Sequence, residues 1–283
     1  MNRKWMRAVV PGLLWWIAGG RVAAQADLVS AARAGTARYQ DQAAAIEDGY
    51  RAVGPDFPGM GVHWVNKGLL LTGTVDPAHP PVLEYADFGG RPTLVGVAYA
   101  ALVTDSAPQP RLPVPAEAWH THAGTVDEES FLLGHAGVHS AHSQTQGPRL
   151  AVAHAWIWLD NPAGLYETDN WALPCARLGF SPPVGLSADA GRALALAAGA
   201  TAYFESLVRV VGAPDSAELV RLRAVLDRGA SDVSRRVGHG TGRTPLPLGI
   251  VSELEASWRL TWGDLLAAAS PPVRARLAAL PGH

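Results

Sequence analysis

Val82-Leu-Glu-Tyr-Ala-Asp-Phe88, Gly89-Gly90, then Thr93-Leu-Val-Gly-Val-Ala-Tyr-Ala-Ala-Leu-Val103 is the stretch on which the fold turns. Two runs rich in β-branched and aromatic residues flank a two-glycine break. That pattern predicts an antiparallel hairpin, because glycine supplies the positive φ that a tight turn needs. A second apolar run, Leu150 to Leu159, carries hydrophobic residues at both alternating positions and predicts an interior strand. Ala116 to His122 reads as a further strand. Residues 134–148, rich in Gly, His, Ser and Gln, read as a loop.

Outside this β-rich middle the texture is helical. Residues 27–53 predict one helix, with Leu28, Val29, Ala32, Tyr39, Ala43 and Ile46 at roughly helical intervals, ending at Gly54-Pro55. Residues 55–61 read as a turn-rich loop. After Pro183, helices are expected over Asp189–Val211, Ser216–Val237 and Ser252–Ala269, with a short last one over Pro271–Leu280. Ser187 or Ser216 would supply an N-cap. The expected class is α+β: an N-terminal helix, a central antiparallel β-sheet or barrel, and C-terminal helices packed against it. The expected divisions are a signal peptide over 1–26, a helix plus β-rich unit over 27–183, and a helical region over 184–283.

The start of the chain predicts export. Arg3, Lys4 and Arg7 precede an apolar run from Ala8 to Ala18, and small residues follow. Val22-x-Ala24 and Ala24-x-Ala26 both suit a signal peptidase, so cleavage after Ala24 or Ala26 and a periplasmic or secreted location are expected. The run is short of the roughly 20 residues a membrane span needs, and no later segment supplies one. The leader carries four basic residues and no acidic one, so the remainder holds 19 basic against 25 acidic groups, a net charge of −6 with histidine neutral. Such a balance disfavours nucleic acid and anionic lipid as partners. Cys175 is the sole cysteine, and its apolar neighbours predict a buried, inert thiol.

Histidine is where chemistry concentrates. Six of the ten histidines fall between residues 120 and 154: His120, His122, His135, His139, His142 and His154. In a strand, His120 and His122 would point to one face and could reach one ion. Glu128 and Glu129 follow within reach as carboxylate ligands. His154 sits on the apolar strand, where a buried imidazole needs a partner. His63 lies upstream in Pro58-Gly-Met-Gly-Val-His-Trp64. These residues predict one divalent transition-metal ion (Zn, Cu, Fe, Mn or Ni), all of which accept imidazole. The ligands expected first are His120 and His122, then His154, one of Glu128 and Glu129, and His63. Either a metalloenzyme or a non-catalytic metal-handling protein of the envelope would use such a site. A third reading needs no metal: Trp156, Trp158, Tyr166 and Trp171 would line an aromatic pocket for a small-molecule ligand.

Two resemblances accompany these motifs. Pro-Gly-Met-Gly-x-His-Trp, Trp-His-x-His-x-Gly, His-Ala-Trp-x-Trp and Asn-Pro-x-Gly together resemble a group of exported bacterial proteins, a likeness that implies no activity. His120-x-His122, Glu128 or Glu129, Phe131-Leu-Leu-Gly134 and His154 resemble the metal-binding pattern of cupins. That resemblance implies a small β-barrel and a ligand set of His120, His122, one of the two glutamates, and His154. The chain departs from the pattern by a longer gap before the glutamate and by Leu150-Ala-Val-Ala where a Pro-x-Gly turn would precede the last histidine.

Overall fold

The computed structural model describes residues 12–104, 112–122, 149–212, 215–240 and 244–279. It is an α+β protein built on one mixed-length sheet with helices at both ends of the chain. Helix α1 (Gly12–Thr36) leads into a 3-10 turn (Ala37–Gln40) and a short α2 (Gln42–Glu47), which Asp41 caps by accepting from Ala43 N at 3.0 Å. The expected single helix over 27–53 is therefore broken. Gly49 takes a positive φ of 94°, and the chain leaves it extended as strand β1 (Arg51–Phe57). Pro55 lies inside β1, not in a loop. An edge strand tolerates the missing N–H, and β1 is an edge with an irregular register between Val53 and Phe57.

The remaining strands are β2 (Gly61–Val65), β3 (Val82–Asp87), β4 (Pro92–Val103), β5 (His120–His122) and β6 (Arg149–Ala155), with helix α3 (Lys67–Leu71) between β2 and β3. Their order is β1-β2-β3-β4-β6-β5, antiparallel throughout. Among the described residues the sheet is open, with β1 and β5 at its edges. The expected hairpin is β3–β4, and Gly89 and Gly90 both take positive φ at its turn. Ala116–Ala118, expected as strand, is a 3-10 turn, and β5 begins only at His120. Strand β6 is interior and ends at Ala155, where Trp156 N turns away to donate to Leu165 O at 2.9 Å.

One irregularity decides what each face of the sheet carries. The pairs nearest the turn are Asp87↔Pro92, Ala86↔Thr93 and Tyr85↔Leu94, but the next is Glu84↔Gly96. Val95 is an extra residue, a β-bulge. Its carbonyl accepts from Trp158 N (3.1 Å) and Leu159 N (2.9 Å). Because of the extra residue, Leu94, Val97 and Tyr99 all join one apolar cluster with Leu83, Tyr85, Ala151 and Ala153, packed on Leu28 and Ala32 of α1. Gly35 of α1 lies so close to the Ala78 carbonyl that a Cβ there would collide with it. The opposite face carries Val53, Val65, Val82, Ala98, Ala100, Leu150 and Val152, with Leu70 of α3.

A separate core is helical. It joins α4 (Ala172–Arg177), α5 (Ala188–Val211), α6 (Ser216–Val237), α7 (Val251–Ala268) and α8 (Pro271–Ala278) around Leu194, Leu222, Leu226, Trp258 and Leu265. Ser187 caps α5 as expected, but Asp215, not Ser216, caps α6 by accepting from Glu218 N at 2.7 Å. Residues Phe180–Ser181 (β7) and Thr244–Pro245 (β8) form a small parallel pair. The helices are tied to the sheet at β1, where Arg177 pairs with Asp56 at 2.8 Å and Ser206 Oγ donates to the Asp56 carbonyl at 3.2 Å.

Candidate metal centre

Cross-strand partners share a face of a sheet, as do residues two apart on one strand. The register therefore gathers a row of side chains on the face away from α1. His63 of β2 is opposite Glu84 of β3, and Glu84 is opposite Gly96 of β4. Ala98, two residues on, is opposite His154 of β6, and Val152 of β6 is opposite His120 of β5.

Glu84 is the centre of this row. Its side chain is 0 % exposed, that of His154 is 3 % and that of His63 is 15 %. Strands β3 and β6 are separated by β4, roughly 9–10 Å apart at normal strand spacing. Glu84 and His154 nonetheless share a hydrogen bond between Oε1 and Nδ1, because Gly96 leaves the space between them clear. A Cβ on Gly96 would run into Glu84 Oε2 and come within 3.1 Å of Trp156 Cε3. The bulge at Val95 is what brings that glycine under the carboxylate.

His63 Nε2 lies 3.8 Å from Glu84 Oε1, and its ring centroid is 5.8 Å from that of His154. One ligand atom from each of His63, Glu84 and His154 lies within 4.8 Å of the other two. Glu84 Oε2 is buried with no hydrogen-bond partner among the described residues. Burial pushes the Glu84 carboxyl up to about 8, against the pull of His63. A neutral acid or a bound cation both relieve an ionised carboxylate in such a place. Asp169, near enough to feel His154 and Arg192, is likewise raised, chiefly by burial.

The expected ligands divide as follows. His154 and His63 belong to the three-donor group. His120 stands outside it, its ring parallel to that of His154 within 3° at a centroid separation of 5.3 Å. His122 pairs through its backbone with Leu150, and its side chain lies outside the described residues. Glu128 and Glu129, together with His135, His139 and His142, also lie outside them. The carboxylate of the group is Glu84, which the sequence reading passed over. Its signal was a lone glutamate among Val82, Leu83, Tyr85 and Ala86.

The aromatic residues expected to line a pocket, the thiol expected to be inert, and His79 are distributed over the rest of the fold. The four aromatic rings do not share one pocket. Trp156 packs with Val95 and Leu173, Trp158 and Tyr166 pack against the α1 cluster, and Trp171 packs on the helical core beneath Arg192. The four rings are spread over three apolar clusters, since burying so large a surface is favourable wherever it falls. Cys175 is fully buried in the helical core, and burial pushes its thiol up to about 12. His79 is an exposed turn residue bonded to Asp76 at 2.8 Å, which holds that carboxyl below its usual range. Comparison with protein-family models, with curated proteins and with solved structures returns no match for this chain.

Proposed function

We propose that this chain is an exported metalloprotein, periplasmic or secreted, that holds one divalent transition-metal ion on His63, Glu84 and His154. The observation that carries the reading is the buried carboxylate of Glu84, set between two imidazoles with one oxygen lacking a partner among the described residues. Leaving such a group unserved is costly, and a cation serves it. The donors are nitrogen and oxygen, which suits Zn, Fe, Mn, Ni or Cu(II), and no thiolate is near to favour softer ions. Export rests on the leader sequence. Among the described residues no helix is long and apolar enough to cross a membrane.

Bound there, the ion would act as a Lewis acid toward a small molecule or a water if a coordination position stays open. A closed set would make the protein a metal handler. The test is metal analysis of untagged mature protein, loaded with each ion in turn. About one ion per chain is expected for the native sequence, with near-zero content for Glu84→Gln and for His154→Ala. Equal, near-zero metal in all three proteins overturns the reading. The metal-free reading predicts that result, with the Glu84–His154 hydrogen bond satisfying the buried pair by itself.

A further inference from the structure

We propose that His120 is the loading residue of this centre: the first imidazole to take the ion, and the one that passes it inward to His154 and Glu84. The inference rests on the metal-binding reading above. A buried site needs a route in, and among the described residues much of what surrounds this one is apolar or closed. Beyond Glu84 and His154 on their own face lie Ala98, Ala100, Val152 and Val53, an apolar cluster that offers a cation nothing. On the β2 side the ring of Phe57 lies against His63, at 5.7 Å and 55°. The opposite face of the sheet is closed by α1.

Among the described residues β5 is an edge strand of the sheet, and His120 is half-buried on it. His120 lies opposite Val152, two residues along β6 from His154 and on the same face. The two imidazoles are parallel and one ring apart. A hydrated cation exchanging its first water for His120 would thus have His154 as its next ligand, and would cross no apolar gap. His120 then has no place in the final set, whose three donors converge without it.

The experiment is stopped-flow uptake of Zn(II) or Co(II) by metal-stripped mature protein. Native sequence is compared with His120→Ala and His120→Phe, the second of which keeps a stacked ring and loses the nitrogens. All three proteins should bind one ion at equilibrium with the same affinity. Uptake should slow by about tenfold in both variants. Because His120 is absent from the bound state, release should slow by the same factor. Unchanged uptake rates overturn the inference. So does loss of affinity through faster release, which would make His120 a ligand. If the native sequence takes up no ion, the metal reading itself fails, and this one with it.

Discussion

The two faces of the sheet differ in the kind of polar group they bury. Toward α1, three tyrosines end their rings on backbone carbonyls, while Tyr39 donates to Asp48 and the buried Tyr166 hydroxyl has no partner among the described residues. Tyr85 donates to Tyr39 O at 2.5 Å and Tyr99 to Pro77 O at 2.9 Å, while Tyr50 beside the sheet donates to Pro80 O at 2.7 Å. Each of these three hydroxyls is neutral, satisfied and at the end of a large apolar body. On the other face a glutamate with no exposure keeps one oxygen without a partner among the described residues. The first arrangement stabilises a fold and needs nothing more. The second costs the fold something and is understandable if a further group completes it.

That contrast can be broken most severely at Gly96. Gly96→Ala places a methyl against Glu84 Oε2 and Trp156. Overpacking should cost about 1–3 kcal/mol, and displacing the carboxylate should weaken metal binding by about 10–100-fold. Calorimetric titration with Zn(II) beside a denaturant melt separates the two, and intact binding would mean that the carboxylate does not need this path.

A smaller effect should appear in the pH dependence of the metal-free protein. The folded Glu84 carboxyl sits at about 8 and its ordinary value is 4.5. Between those values the folded state holds a proton that the unfolded state has lost. Stability should therefore be greatest below about 4.5 and decline as pH rises toward 8. Thermal melts across that window should show the decline in the native sequence and a flatter profile in Glu84→Gln, with Asp169 leaving a residue of the same sign. Identical slopes would show that Glu84 is ionised in the fold. The smallest effect is on the other face. Tyr99→Phe should lower stability by about 1 kcal/mol and leave metal content untouched.

Most of the architecture was legible because it rests on local rules. The two-glycine turn, the doubly apolar β6 and the Ser187 cap announce themselves within a few residues. The polar site was only half legible. His63 and His154 stand out as histidines next to tryptophan or within an apolar run. Glu84 does not, because its meaning depends on what faces it across the hairpin. Counting outward from Gly89-Gly90 puts Val95 opposite Glu84, and only the bulge replaces it with Gly96. The same applies to Pro55, where composition indicates a loop and position at a sheet edge allows a strand. Long-range pairing decides both, and a reading along the chain has no access to it.

The extra residue at Val95 makes the centre a matter of counting rather than of chemistry. It shifts the phase of β4 by one, so the second half of the strand presents to each face what the first half's rhythm would have presented to the other. A shortened chain lacking Val95 would still set Gly96 against Glu84. It would also strip two amides, those of Trp158 and Leu159, of the carbonyl that now anchors them. Deletion here should therefore spare the row of site residues and loosen the 156–159 corner, so that the hairpin's length and the corner's anchoring are inherited as one unit.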